Sequence, residues 1–484
     1  MTIVRSKDIH AVFGAQIVTE LTPTVQISNQ YALDPDLRED LEVFEATGGS
    51  ADNLNNMFRC QTGTSVGGYG VCRSVSSLRY RPGEGGMARI TAAFTTGIAL
   101  SLQFAGLFSL TETMAFGYDG ADFSVIHEYD GEPEIQEIQI TGTAADTVTV
   151  TLDGTAASGI SITNSDVQTN AREIADALAA DSAVNGAWRF KQIDDTVVCV
   201  ARSVGDKTGT MSVAFAGSAT GTITEITAGV AKSNSNVAQG SWDTAPFTGF
   251  DPTKLNLYQL EYGYLGAANL RFSIYDPNKG EFVVVHTIKW ANNNTTPNFG
   301  NPDMKVGWTA ASLGSSGTNL TVTGASMMGA VEGKEVIQEL SRATFNQKAS
   351  IGTTFTNVLE IQNRIVYGER FNLGIIRAAQ VSVDNDHNKG LVVQIVKNAT
   401  VSGTPNFQYH DETNSVAVID TAGTTVSGGE VLAKFVVPAA GAVTVSLAEL
   451  EALLFPEDTL TVAARTVSGT ATNTTATFVW REEK

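Results

Sequence analysis

Along most of the chain, apolar and polar residues alternate over short runs that end at Gly, Pro, Asp or Asn. This is the period-two pattern of strands with one face in a core. TVQIS at 24–28, ARITAAF at 88–94, LSLQF at 100–104, EFVVVHTIKW at 281–290 and NLTVTGASMM at 319–328 all follow it. YDPNKGEF at 275–282 predicts a hairpin, because Pro277 presets φ and Gly280 accepts the positive φ that closes a turn. Such strands, separated by turn residues, predict an antiparallel sandwich from about residue 13 to 131, resumed after Trp242. The most apolar stretch, 90–117, is interrupted every few residues by Thr, Gln, Ser or Gly, so it predicts two buried strands joined by a turn and not a membrane helix.

The texture changes between 132 and 230. Two β-branched runs, IQEIQITG and TVTVTLDG, precede a helix predicted near 166–180. There Ala171, Ile174, Ala175, Leu178 and Ala179 recur on one face, and Ser165 or Asp166 can cap the first turn. Strands return with RFKQI, TVVCVAR and MSVAF. A β-β-α-β-β unit that interrupts a sandwich reads as an inserted, separable module. From 333 onward a third β-rich stretch runs to the end, with a short helical or 3₁₀ piece predicted at 447–454 before Pro456. The boundaries read as 1–131 and 231–332 for the interrupted sandwich, 132–230 for the insert, and 333–484 for a linker with a C-terminal β-sandwich. No heptad or short repeat encodes a shaft.

At 484 residues the chain is long enough for several cores. Its net charge of −20, with no run of Lys or Arg, excludes a phosphate-binding stripe, so no nucleic-acid partner is expected. Cys60, Cys72 and Cys199 are odd in number and contain no C-x-x-C pair. Reduced, buried thiols are the expectation, although Cys60 and Cys72 flank a turn-rich stretch and can be imagined facing each other across a hairpin. The first residues lack the apolar core of a secretory signal, so synthesis and assembly in a cytoplasm are expected, with no membrane insertion.

Candidate chemistry is sparse. His10, His127, His286, His387 and His410 stand alone, without metal-ligand spacing, and no nucleophile elbow, P-loop or dinucleotide fingerprint appears as a contiguous motif. No catalytic residue, cofactor or metal is therefore assigned. Asp384, Asp386, Asn388 and Gly390 resemble the start of a calcium loop. Gly390 falls one place late and Ile395 replaces the closing carboxylate, so a polar hairpin turn is the better reading. Tyr258, Tyr262, Tyr264, Trp290, Asn292, Asn293 and Asn294 can form either a sugar-stacking platform or sandwich core. The shared strand parity of the three tyrosines favours core. The residues kept as a possible glycan contact are Tyr264, Trp290, Asn292 and Asn293.

Several blocks resemble virion proteins of tailed bacteriophages. VFGAQIVTELTPTVQIS at 12–28, YRPGEGGMARITAAF at 80–94 and AFGYDGADFSVIH at 115–127 resemble their N-terminal half. The block at 255–302 is the most specific, and GASMMGAVEG at 324–333 closes the domain in the same style. The stretches VTVTLDG and WRFKQIDDTVVCVAR resemble an accessory module of phage tail and fibre proteins, and those at 395–407, 414–432 and 456–464 resemble a following β-sandwich. The resemblance implies a mainly β protein: a concanavalin-like jelly roll interrupted by a small α+β insert and followed by a C-terminal β-sandwich. It implies a non-enzymatic, surface-exposed virion component such as a tail-fibre, collar or head-surface protein. Its partners would be other virion proteins and copies of itself, a trimer being favoured. The segment 335–370 is the candidate contact, because Ile337, Leu340, Phe345, Ile351, Phe355, Val358 and Ile361 exceed the needs of one core. A lectin-like module binding host glycans is the alternative, and a polysaccharide depolymerase a more distant one.

Overall fold

A computed structural model of the protein describes residues 24–30, 35, 40–78, 85–163, 166–263, 266–314, 317–331, 340–386, 388–450, 452–469 and 472–483. The fold is mainly β, with antiparallel sheets and, among the described residues, one α-helix. The chain forms two compact units, each built from two separated stretches: Met1–Gly131 with Ala231–Glu335, and Glu132–Val230 with Val336–Lys484.

The first unit is a two-sheet sandwich. One sheet runs Glu281–Ile288, Leu270–Asp276, Asn256–Tyr262, Gly86–Phe94, Thr321–Gly324, Met57–Gln61 and Ser50–Leu54, with Ser326–Val331 also on Gly86–Phe94 and Thr24–Gln30 beyond it. The other runs Ser233–Asn234, Asp122–Tyr129, Thr113–Asp119, Ser101–Phe108, Lys305–Ser312, Tyr69–Ser74 and Leu41–Ala46. Burial alternates strictly along Gly86–Phe94, as the sequence pattern requires for a strand with one face inward. Side chains of both sheets meet in one core, where Phe116 packs on Tyr258 at 4.8 Å and on Phe272 at 5.6 Å between ring centroids.

Two local expectations are corrected. Residues 90–117 are not two strands joined by a turn: Gly86–Phe94 lies in one sheet, and the chain then crosses to the other for the hairpin of Ser101–Phe108 and Thr113–Asp119. The strands are buried, as expected, and on both faces, because Phe104, Phe108, Ala115 and Ile126 form a second cluster separate from the main core. Cys60 and Cys72 do not face each other across a hairpin either. They belong to opposite sheets, both are buried and neither forms a disulfide, and Cys60 Sγ lies 3.5 Å from the Trp308 carbonyl.

The insertion leaves and returns at one place. Asp122–Tyr129 pairs with Ser233–Asn234, Tyr129 opposite Ser233, so residues about a hundred apart in sequence sit on adjacent strands. At the base of the excursion Glu132 bridges Val230.

In the second unit the inserted stretch forms a four-stranded sheet (Trp188–Ile193, Thr196–Val204, Pro133–Ile140, Gly221–Thr227) and a three-stranded sheet (Thr155–Thr163, Ala145–Leu152, Ser212–Phe215). The helix Val167–Ala180 buries Ala171, Ile174, Ala175 and Leu178, and the Asp166 carboxylate caps it by accepting the Thr169 N–H at 2.8 Å. The C-terminal stretch forms a sandwich of five strands around Thr472–Glu483 and Ile375–Asn385 against six around Thr356–Asn363 and Thr459–Thr466. Val381, Val383, Phe478 and Trp480 of the first sheet share a core with Leu359, Ile361, Val393 and Val462 of the second. A 3₁₀ turn at Ala448–Leu450 and the two-residue strand Leu453–Leu454 occupy the predicted 447–454. The turn around Asp384 and Asp386 joins strands of different sheets, Ile375–Asn385 and Leu391–Lys397, so it is an arch over the sandwich edge and not a hairpin turn. Within it Asn385 Nδ2 donates to the Lys389 and Pro438 carbonyls.

The insert has its own core, but it also shares one with the sandwich: Ile135, Ile193, Val198 and Val200 pack with Ile365, Val366 and Val418. Polar groups fix the register of that docking. Asp194 N–H donates to the Phe407 carbonyl at 2.8 Å, and Gln192 both donates to Asn406 and accepts the Phe407 N–H.

Two predictions follow from this packing. Trp308 is fully buried and its Nε1–H donates to the Thr91 carbonyl of the opposite sheet at 2.9 Å, while a Cβ at Gly324 would stand 2.2 Å from that Nε1. Gly324→Ala should therefore destabilise the first unit by about 1–3 kcal/mol, read as an earlier melt of that unit with the second unit unchanged. Replacing Glu132–Val230 with a short Gly-Ser bridge should leave the first unit's melt intact, since its core contains no inserted residue. It should also raise dye binding by the C-terminal sandwich, which then loses the cover over Val366 and Val418. Loss of the first unit's cooperative melt would contradict this.

Candidate functional site

The expected sugar platform lies in the segment after Glu281–Ile288. Trp290 is only 3% exposed; its indole N–H donates to the Thr296 carbonyl at 2.7 Å, and its ring meets Tyr129 at 5.0 Å and His127 at 5.4 Å, both nearly perpendicular. It offers no open face on which a pyranose can stack. Asn292 and Asn293 are exposed, but Asn292 sits in the left-handed region at φ 62° and Asn293 closes a turn onto the Trp290 carbonyl. Tyr264 lies outside the described residues. Tyr258 and Tyr262 are buried, in keeping with their strand parity. Trp290, the described aromatic of the predicted contact, thus points into the core, and the two amides serve a turn.

What this segment does hold is a pair of buried titratable groups gripping one loop. His127 Nε2 lies 2.8 Å from the Asn298 carbonyl and Nδ1 lies 2.6 Å from Ser235 Oγ. The carbonyl can only accept, so Nε2 carries the proton and Nδ1 accepts from Ser235. Burial pushes this imidazole down to about 4. Two residues on, Glu112 Oε1 accepts the Gly300 and Asn301 N–H groups at 2.9 and 3.1 Å. Burial pushes the Glu112 carboxyl up to about 8, against the opposing pull of those two amides.

Of the other histidines, His286 lies 3.2 Å from the Asp243 carboxylate, burial lowering its pKa, and His410 packs edge-on against Trp480 at 4.9 Å. His10 and His387 lie outside the described residues. Among the described residues no group of three or more His, Cys, Asp or Glu side chains is arranged to hold a metal ion.

The second unit contains a cavity of about 270 Å³ where the insert docks on the sandwich. Ile193, Val198, Ile226 and Val366 supply its apolar wall, and Glu137, Glu369, Glu412, Arg364 and Tyr409 its polar one. Arg364 is 4% exposed: Nη2 donates to the Glu412 carbonyl at 2.8 Å, and the guanidinium stacks over Tyr367 at 4.7 Å and Tyr409 at 5.2 Å. Among the described residues its Nε has no hydrogen-bond partner. Burial lowers the Arg364 pKa, and burial with the charges of Glu412 and Glu369 raises that of Glu137. Burial and the nearby Glu137 charge push the Tyr409 hydroxyl up to about 12. Sequence reading missed this site because its residues come from five separated places in the chain, none of them a motif.

The loop held by Glu112 and His127 generates a pH prediction. A carboxyl raised from 4.5 to about 8 binds its proton in the folded state, so stability falls as pH rises between those values. An imidazole lowered from 6.5 to about 4 acts oppositely, with stability falling as pH drops through that window. The two slopes cancel between pH 4.5 and 6.5. Above that, Glu112 acts alone, and from pH 6.5 to 8 the first unit should lose about 2 kcal/mol. Glu112→Gln, which still accepts both amides, should flatten that limb in urea melts. An unchanged slope in the variant would assign the effect to another group.

No protein-family model and no curated protein matches the chain. Among solved structures, a chain from an archaeal virus, described as a triple jelly roll fold in a turret assembly, aligns over 96% of this chain and 98% of its own at 7% identity, with a TM-score of 0.17. A chain of the T13 infectious bursal disease virus particle aligns over 84% of this chain and 76% of its own at 8% identity, TM-score 0.13. One from the Gx strain of that virus aligns over 84% and 78% at 9% identity, TM-score 0.14.

Proposed function

We propose that this protein is a non-enzymatic structural component of a virus particle, of the kind displayed on the exterior of tailed phages, and that copies of it associate through the second unit. The phage-like blocks of the sequence support the first part. They include Gly86–Phe94, most of Thr113–Asp119, Asn256–Tyr262, Leu270–Asp276 and Ser326–Val331, which are strands of the first unit's sheets.

The observation that carries self-association is the outer face of the five-stranded sheet. Phe345, 71% exposed on the edge strand Leu340–Ile351, lies in register with Thr477, Ser382 and Thr444. The next row is Ala343, Val479, Gln380 and Ser446, and Asp384 is the one charged residue in the row of Gln347, Thr475 and Ala442. A chain of net charge −20 repels its own copies wherever carboxylates meet, and these two uncharged rows are where they need not. Within the expected contact segment, Ile351, Val358 and Ile361 pack inside their own core and Phe355 is half-buried, so among the described side chains Phe345 is its exposed anchor; Ile337 and the side chain of Leu340 lie outside the described ones.

Sedimentation and light scattering should show a closed homo-oligomer, a trimer being favoured, that Phe345→Glu dissociates without altering the melting of either unit. Antibody labelling should decorate intact particles. A protein that stays monomeric at all concentrations and never labels particles would overturn the proposal, as would turnover of a host polysaccharide that one carboxylate substitution abolishes.

A further inference from the structure

We infer that the cavity between the inserted four-stranded sheet and the stretch 364–369 with Tyr409 and Glu412 of the second unit is a binding site for a single neutral sugar residue. The argument starts from the charge pattern of its wall. Glu137, Glu369 and Glu412 converge closely enough that the latter two raise the pKa of the first, so an anion entering here meets three carboxylates. A cation meets Arg364, which is buried, held by two tyrosine rings and by the Glu412 carbonyl, and unable to swing away. The ligand that satisfies both signs carries no charge and presents groups that donate and accept at once. A hydroxyl does this: its proton goes to a carboxylate while its lone pairs take an N–H of the guanidinium.

Several vicinal hydroxyls on one small ring match carboxylates and a guanidinium placed around one cavity better than a single hydroxyl does. The opposite wall, Ile193, Val198, Ile226 and Val366, suits the C–H face that a pyranose also has. The volume, about 270 Å³, has room for one such ring. Arg364 is also oriented in advance by its stacking, which lowers the ordering cost of binding.

The inference goes beyond the particle role proposed above and moves glycan recognition from the Trp290 segment of the first unit to the second unit. The test uses the full chain. Methyl glycosides of glucose, galactose, mannose and N-acetylglucosamine, with 1,5-diaminopentane and sodium sulfate as charged probes, are titrated by calorimetry and saturation-transfer NMR. At least one glycoside should bind and raise the melting temperature of the second unit, and neither charged probe should. Glu369→Gln, an exposed position, should weaken that binding about tenfold, a loss of about 1.4 kcal/mol. Val198→Phe should abolish it by filling the cavity, with the melt confirming that the variant folds.

Absence of binding by every glycoside would overturn the inference, and so would binding indifferent to both variants. Diamine binding lost in Glu369→Gln would mark a cation site and overturn it equally. Oligomeric state and particle labelling are read separately, so failure of the particle proposal leaves this result standing and the converse also holds.

Discussion

The first unit depends on two sheets sealing one aromatic-rich core from water. Phe94, Phe116, Phe123, Tyr258 and Phe272 meet there, with centroid separations of 4.8 to 6.4 Å and mostly inclined planes, the geometry in which ring edges and faces attract. Phe94 comes from a strand that alternates strictly between buried and part-exposed residues, so a slip of one residue there would turn its ring out of the core. Trp308 adds the polar counterpart: its indole hydrogen-bonds across the sandwich to Thr91 and fixes the distance between the sheets as well as their register. The Gly324 position, bare of a side chain, is what lets the indole reach that far.

Much of this was legible in the sequence. The alternation along ARITAAF, the hairpin at Pro277 and Gly280, the helix with its Asp166 cap and the change of texture near 132 and 230 are local signals, and local signals survive folding when packing agrees with them. Which sheet a strand joins is not local. Residues 90–117 read as a continuous apolar pair because three strands there are buried, two of them on both faces, and no periodicity separates that case from a simple hairpin. The same limit hid the docking of the insert on the C-terminal sandwich, since Ile193 and Val418 give no hint in sequence that they touch.

The candidate site shows the limit more sharply. Aromatics and amides near Trp290 have the right composition for a sugar platform, yet composition does not say which way a ring points. The residue two places past Ile288 turns inward because His127, Tyr129 and Phe299 make a pocket for it. The cavity by Arg364 has the reverse character: ordinary residues from distant segments, brought together only by tertiary packing. A strained or half-satisfied buried group, such as the Arg364 Nε, is visible only once the packing is known.

The interleaving of the two units has a consequence for how the chain comes off the ribosome. The first unit holds strands from before residue 131 and after 231, and its sheet centre pairs Gly86–Phe94 with Asn256–Tyr262, so its early half waits with an unpaired edge while about a hundred residues of insert emerge. The insert can collapse on its own helix in that interval, and its quick local closure shortens the effective loop that the later half must span. The second unit in turn cannot cover Ile135 and Val198 until the C-terminal strands appear. Emergence in chain order therefore favours the sequence insert, then first unit, then docked second unit. The apolar patch on the insert stays open longest, and it is the surface on which a nascent copy is most vulnerable to joining a neighbour before its own chain is complete.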